Sequence, residues 1–107
     1  MRLTKSDVWA LIKKASDKNR IVNLKGKELG GLDLSGLSLG RANVSGANLS
    51  GTDLSNTTFF NADLSGVNLS DANLSYTDFS YANLSHAKIT GANFSNAVLL
   101  KTVLPSR

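Results

Sequence analysis

Serine and histidine are the residues of this sequence whose chemistry would suit catalysis. Serines recur at regular spacing through the chain, and His86 is the one histidine. A serine acts as a nucleophile when a histidine takes its proton and an acidic residue orients that histidine. No acidic residue outside the regular pattern is placed to orient His86, and a lone histidine is more typical of a protein surface. We therefore predict no catalytic site and no enzyme.

Carboxylates at a regular interval suggest a cation site. Asp33 and Asp53 are followed, at the same spacing of twenty residues, by Asn73 and Asn93. Oxygen ligands of this kind bind hard cations, but the exchange of Asp for Asn is typical of residues that simply face outward. The chain has no cysteine, which excludes disulfides and thiolate metal sites. We predict no metal, no cofactor and no small-molecule substrate.

The charge is concentrated at the N-terminal end. The chain has 107 residues, which suits one small domain, and a net charge of +4. Residues 1–29 carry eight basic and three acidic residues, a net +5, whereas residues 30–107 carry four and five, a net −1. This imbalance predicts a polar end on a nearly neutral body and does not favour a nucleic-acid partner.

Neither a leader nor a membrane span is predicted. The first twenty residues mix lysines and acids with apolar residues, so they do not read as a signal peptide. No apolar run approaches the roughly 20 residues that a spanning helix needs. We predict a soluble protein of the cytoplasm.

An internal repeat of five residues dominates the sequence. Residues 22–106 divide without a gap into seventeen units, among them ANLSG, ADLSG and VNLSD. The third residue of every unit is apolar, the first is small or apolar except at Lys27, and the second is usually Asn or Asp. The fourth residue is Ser in most units, and the fifth residue is Gly, Asn or Asp in most units. Seven of the glycines share the fifth position, which indicates corners rather than a phosphate loop.

A period of five fits neither a helix nor a plain strand, so each unit must contain a corner. The first and third residues of a unit lie two apart and therefore face the same side of an extended segment. Ser, Gly, Asn and Asp favour turns, and they would weaken a helix every five residues. The pattern predicts an all-β solenoid in which the first and third residues fill the axis and coils stack about 4.8 Å apart.

The units resemble the pentapeptide-repeat family, whose consensus is A-(D/N)-L-X-X. The resemblance covers residues 22–104, about four fifths of the chain. It implies a right-handed quadrilateral β-helix of about four coils with four pentapeptides each, and such repeats are commonest in bacteria, especially cyanobacteria. Residues twenty apart would then stack, which places Phe59 next to Phe79 in the core.

The residues before the repeat predict a helical cap on the first coil. A helix is expected over residues 4–18, with Thr4 as its N-cap, Asp7 completing a near capping box and Asn19 at a left-handed end. The alternative for this segment is a basic helix lying on a membrane, which one aromatic residue and a short apolar face support poorly.

These boundaries give three parts: a capping helix at 1–21, the β-helix at 22–104 and a C-terminal tail at 105–107. The C-terminal end of the β-helix is predicted to be uncovered, because its last units, AVLLK and TVLPS, are unusually apolar. In some members of the family this end is a dimer interface. We predict an end-to-end homodimer with these central residues: Leu99, Leu100, Val103 and Leu104.

Large apolar residues also replace Ser or Gly at a few corner positions. Phe60, Tyr76, Tyr81 and Leu100 are the candidates for an interaction patch, because exposed aromatic clusters often mark binding sites. The alternative is that they decorate a rigid rod without a role.

The sequence therefore favours a non-catalytic structural or protein-interaction module whose partner is unknown. The alternative, from relatives within the family, is a DNA mimic that binds a type II topoisomerase such as gyrase. That role needs a long and strongly acidic rod, which the nearly neutral repeat does not supply. The near-uniform units also fit an engineered or truncated repeat rod.

Overall fold

The structure, a computed structural model, describes residues 3–106 as one helix followed by a stack of coils. Helix α1 spans Lys5–Asp17 and has Thr4 as its N-cap. The Thr4 hydroxyl accepts the Asp7 N–H at 3.2 Å, and the Asp7 carboxylate accepts the Thr4 N–H at 2.8 Å. This reciprocal pair satisfies two N–H groups that the first turn of a helix leaves free. Asn19 follows with a φ of 52°, the left-handed ending that the sequence predicts.

Each coil of the stack contains four pentapeptide units. Thirteen isolated parallel β-bridges join the second residues of units exactly one coil apart, from Asn23↔Asn43 to Asn83↔Val103, always with a separation of twenty residues. The fourth and fifth residues of the units form turns. Within residues 3–106 the β-pairing consists of these single-residue bridges, with no longer strand. The stacking of residues twenty apart that the sequence predicts is therefore present, with very short paired segments.

The backbone is hydrogen-bonded between coils at three positions of each unit. The N–H of Leu64 donates to the carbonyl of Asn83 at 2.8 Å, and the N–H of Gly66 donates to Ser85 at 2.8 Å. In the opposite direction, the N–H of Asp63 donates to the carbonyl of Ala42 at 2.9 Å. Because the coils before the last one repeat these bonds, the polar backbone inside a narrow rod is satisfied without long strands.

The core consists of the first and third residues of the units. The third residues from Leu24 to Leu84 are at most 1% exposed. Phe59 and Phe79 stack with ring centroids 5.7 Å apart and an interplanar angle of 9°, as the sequence predicts. Buried threonines at the first position are also satisfied; the Thr57 hydroxyl, for example, donates to the carbonyl of Leu34 at 2.8 Å.

Helix α1 covers the first coil. Val8 is fully buried, and the partly buried residues Leu11, Ile12 and Ala15 pack against the same core. The Lys5 ammonium lies 3.8 Å from the Asp33 carboxylate, but both side chains are exposed, so this ion pair adds little stability. Apolar packing therefore holds the helix in place.

The last coil is open on its outer side. Ile89, Leu99 and Leu104 are third residues, yet they are 36%, 39% and 52% exposed. This exposure agrees with the predicted uncovered C-terminal end, because no further coil covers these residues within the described part of the chain. No helix in the described part of the chain has the length and apolar character needed to cross a membrane.

Candidate functional site

The residues that suggested catalysis lie in ordinary turns. His86 is an exposed turn residue with a φ of 61°. Across residues 3–106 there is no group of three or more His, Asp or Glu side chains arranged to hold a metal ion. The surface of the solenoid is therefore where a site must be sought.

In most units the second residue is an Asn or Asp that fixes the turn that follows it. The Asn73 side-chain oxygen accepts the N–H of Ser75 at 3.1 Å and its hydroxyl at 2.8 Å. Such Asx turns explain why Asn or Asp is followed two residues later by Ser. The prediction that these residues are only outward-facing groups misses this role. The spacing of two residues between Asn or Asp and the following Ser could have indicated it. The same pair of bonds occurs at Asp33, Asn43, Asp53, Asp63, Asn68 and Asn93.

The turn bonds also perturb acidity. The Ser65 hydroxyl and then the Ser65 N–H hold the pKa of Asp63 below its ordinary value, and Lys25 contributes a smaller attraction. The pKa of Asp33 is lowered in the same way by Ser35. Hydrogen bonds that favour the ionised carboxylate have this effect. These carboxylates therefore serve as turn acceptors, which leaves little reason to read them as cation ligands.

One of the four corners departs from the repeat in every coil. At the other corners the fourth residue is Ser in most units, whereas at this corner the only Ser is Ser80. None of its residues is acidic and none of its fifth residues is glycine. We call it the aromatic corner, and it comprises the fourth and fifth residues of four stacked units: Gly40, Arg41, Phe60, Asn61, Ser80, Tyr81, Leu100 and Lys101.

Phe60 and Tyr81 form an aromatic pair at the middle of this corner. Their ring centroids lie 5.7 Å apart at an interplanar angle of 64°, an edge-to-face arrangement. The side chains remain 46% and 49% exposed. The Tyr81 N–H donates to the carbonyl of Leu100 at 2.9 Å, and Leu100 is 58% exposed. Three of the four predicted patch residues are therefore neighbours on one exposed surface.

Tyr76, the fourth predicted patch residue, belongs to a different corner. Its N–H donates to the carbonyl of Ser95, and its side chain is 61% exposed. Within the described residues its ring makes no aromatic contact with Phe60 or Tyr81. The patch supported by the geometry therefore consists of Phe60, Tyr81 and Leu100.

Bulky residues at the fifth position adopt a backbone conformation that favours glycine. Tyr76 and Tyr81 have φ values of 59° and 61°, and Arg41 also has 61°. A left-handed conformation destabilises L-residues by roughly 1–2 kcal/mol. Glycine fills this position at other corners, as at Gly46 and Gly66. Large residues in strained positions suggest a role outside folding.

The open side of the last coil forms a second candidate surface. Its exposed residues include the predicted association residues Leu99, Leu100, Val103 and Leu104, at 39%, 58%, 54% and 52%. Within residues 3–106 the N–H of Leu99 has no backbone acceptor, whereas the equivalent N–H of Phe79 donates to Val98 at 2.8 Å. Among residues 3–106, this end therefore exposes apolar side chains together with a backbone N–H that has no backbone acceptor.

A groove between α1 and the first coil was not anticipated from the sequence. It contains two adjacent cavities of about 320 and 350 Å³, both lined by Ala15, Arg20, Ile21 and Val22. The remaining lining residues include several cations and no acid: Leu11, Ile12, Lys14, Ser16, Lys18, Asn19, Asn23, Ser38, Gly40 and Arg41. Two features of the sequence could have indicated this groove: the basic N-terminal end and the apolar residue Ile21. In the structure Ile21 is 51% exposed.

Comparison with known families gives one match. The model described as "Pentapeptide repeats" matches residues 33–75 and 77–104, in eight copies. A search of curated proteins gives no match to the chain.

Solved structures show the same architecture. A pentapeptide repeat protein from the Arabidopsis thaliana thylakoid lumen is 34% identical, with a TM-score of 0.74; the match covers 78% of this chain and 58% of that one. HetL of the cyanobacterium Nostoc, a pentapeptide repeat protein involved in heterocyst differentiation regulation, is 34% identical with a TM-score of 0.58. That match covers 80% of this chain and 42% of HetL. The chain thus spans about half the length of these proteins.

The first prediction concerns the Asx turn at Asp63. Replacing Ser65 with Ala removes the 2.7 Å hydroxyl bond and should raise the Asp63 pKa towards its ordinary value, as measured by NMR titration of the carboxyl group. Because the folded pKa is depressed, the stability from Asp63 is present above the unfolded pKa of about 3.9. It is lost as the pH falls through the folded pKa. Ser35→Ala is the control and should leave Asp63 unchanged; an unaltered pKa in Ser65→Ala would contradict this account.

The second prediction compares two strained tyrosines. Tyr76→Gly should stabilise the protein against urea by about 0.5–1 kcal/mol, because glycine tolerates the left-handed backbone. Tyr81→Gly relieves the same strain but loses the Phe60 contact, worth about 0.5–1.5 kcal/mol, so its gain should be smaller or reversed. In a Phe60→Ser background the two substitutions should become equivalent. Equal effects in the wild-type background would show that the ring pair contributes nothing.

Proposed function

This chain belongs to the pentapeptide-repeat family, and on that premise we propose that it is a non-catalytic interaction module that presents a rigid β-helical surface to a protein partner. The family resemblance implies that the coils wind in a right-handed sense, so the fold proposed is a right-handed quadrilateral β-helix. Since the chain spans 58% of the Arabidopsis protein and 42% of HetL, the activity is inferred from this chain's own surface.

The observation that carries the proposal is the aromatic corner. Phe60 and Tyr81 touch each other but leave about half of each side chain exposed. Tyr81 also occupies a backbone conformation that favours glycine. Neither feature serves the core, which is filled by Phe59 and Phe79. Exposed aromatic pairs on a rigid support are well suited to binding, because little side-chain entropy is lost on contact.

The rod is rigid because its coils are locked to each other. Phe60 lies between two bonded coils: the Arg41 N–H donates to its carbonyl at 2.7 Å, and the Asn61 N–H beside it donates to Ser80 at 2.8 Å. The backbone beneath the aromatic pair is therefore fixed before any partner binds.

We also propose that two copies associate through the open ends of their last coils. Leu99 and Leu104 would lose their exposed apolar surface there, together with Leu100 and Val103. At the other end α1 covers the first coil with a fully buried Val8. A head-to-tail stack is therefore blocked, and a closed end-to-end dimer is the arrangement that remains.

The DNA-mimic alternative has little support in the charge distribution. A mimic of duplex DNA must present regularly spaced negative charges, whereas residues 30–107 carry four basic and five acidic residues. The basic N-terminal end opposes the mimicry further. Clear inhibition of gyrase supercoiling by the purified chain would reverse this ranking.

We also propose a location for this protein in the cell, namely the cytoplasm. The sequence predicts the cytoplasm, whereas the Arabidopsis protein with the same fold is from the thylakoid lumen. Fractionation of the source cells would decide between a cytoplasmic and a luminal location.

The third prediction tests the aromatic corner. A double variant, Phe60→Ser with Tyr81→Gly, should lose at least one specific protein partner that the wild type retains in an affinity pull-down, while its unfolding in urea stays cooperative. Tyr76→Gly is the matched control, since it removes an exposed aromatic residue from another corner and should keep the same partners. If the wild type and the double variant retain identical partners, the aromatic corner is not the binding site.

The fourth prediction tests the open end. Sedimentation velocity should show a dimer at high micromolar concentration, and Leu104→Glu should weaken association at least about tenfold, because the interface would bury an unpaired charge. Tyr76→Glu places the same charge at a corner below the last coil and should leave the dimer intact. A strictly monomeric wild type, or open-ended polymers, would contradict the proposed arrangement.

A further inference from the structure

We propose that the partner segment bound at the aromatic corner is an acidic peptide with apolar residues at its centre, held between cations at the two ends of the corner. This inference rests on the proposed function and names the chemistry of the partner. It follows from the charge along the corner, from its continuity with the groove under α1, and from the orientation of the aromatic rings.

The charges of the corner lie at its ends. Arg41 stands at the end near α1 and Lys101 at the opposite end, with Phe60 and Tyr81 between them. The separation is three coil spacings, about 14 Å, which equals roughly four residues of extended chain. Acidic residues at both ends of a short apolar stretch would complement this arrangement.

The basic end continues into the groove under α1. Gly40 and Arg41 line the second cavity together with Arg20 and Ile21, and the Arg41 N–H donates to the carbonyl of Phe60. One end of the groove and the aromatic pair therefore lie on adjacent coils of the same corner. Gly40 has no side chain to obstruct this path, and a methyl group placed there would meet only the Phe60 carbonyl oxygen, at 3.6 Å. A segment leaving the corner can therefore pass over Gly40 into the groove.

The groove favours the same kind of partner, one that combines acidic and apolar residues. Its two cavities combine apolar surface, such as Ile21, with the cations Lys14, Lys18 and Arg20, and they are lined by no acidic residue. Complementarity of this kind steers a negatively charged partner and fixes its orientation. The acidic residues of the segment should therefore be densest at its Arg41 end.

Single-stranded nucleic acid fits this corner less well than a peptide. Bases bind to ring faces that lie open in succession, whereas Phe60 and Tyr81 meet edge to face at 64°. Asp63 and Asp78 lie on the two sides that adjoin the corner, and the Asp78 carboxylate accepts the Ser80 N–H at 2.9 Å. A phosphate backbone would carry charge past both carboxylates, while a peptide can place its apolar residues there.

The fifth prediction is tested with 12-residue random peptides displayed on phage. The library is depleted on the Phe60→Ser, Tyr81→Gly variant and then selected on the full wild-type chain. We expect peptides with Asp or Glu flanking apolar residues. Their affinity should fall at least about tenfold in the double variant and several-fold in Arg41→Glu, and it should weaken with added salt. Lys88→Glu and Tyr76→Gly are the matched controls and should stay within twofold of wild type.

Three outcomes would overturn the inference: no retained peptide, retained peptides without acidic residues, or affinity unaffected by Arg41→Glu. Competition by a 12-nucleotide single-stranded DNA that depends on Phe60 would also overturn it, in favour of a nucleic-acid ligand. If the protein partner still depends on Phe60 and Tyr81 while the peptides lack acidic residues, the proposed function stands and only the partner chemistry fails. If neither partner nor peptides depend on these residues, both fail together.

Discussion

The rest of the structure depends on a hydrogen-bonding register of twenty residues. Each second residue pairs with the one a coil away, as at Asp63 with Asn43 and Asn83, and this pairing fixes which side chains enter the axis. Where the second residue is Asn or Asp, an Asx turn then closes the unit by the same bonds in successive coils. A change of register by one residue would turn apolar side chains outward and break the turn bonds as well. The repeat is regular because the hydrogen-bonded backbone tolerates few departures from the five-residue pattern.

The fold could be predicted from the sequence because its rules are local and repeated. Apolar third residues, turn-forming fourth and fifth residues and the Phe59–Phe79 stack all follow from the period of five. The Phe60–Tyr81 pair could be predicted only in part. Twenty-residue stacking brings their corner positions together, but the same reasoning included Tyr76, since sequence spacing does not show how far a side chain reaches. The groove beside Ile21 was missed because its shape depends on the packing of α1, which the repeat does not specify.

The division of labour within each unit explains how such a regular chain can carry a specific surface. The first and third residues of a unit pack in the core, and the second residue and the Ser at the fourth position form the turn hydrogen bonds. The fifth residue needs only a left-handed backbone, so Tyr81 and Lys101 can replace glycine at a modest loss of stability. Recognition can therefore vary along the corners while the scaffold stays unchanged, which is how repeat proteins generally present binding surfaces.

Amide hydrogen exchange measured at two protein concentrations tests the central claim most directly, namely that the register locks the rod internally and leaves its last coil free to associate. The N–H groups of Leu64 and Leu84 donate to the next coil at 2.8 and 2.7 Å, so they should exchange slowly at every concentration. The N–H of Leu99, which has no backbone acceptor within the described residues, should exchange fast in dilute protein and slowly at high micromolar concentration. Rapid exchange at Leu64, or slow exchange at Leu99 in dilute monomer, would contradict the account.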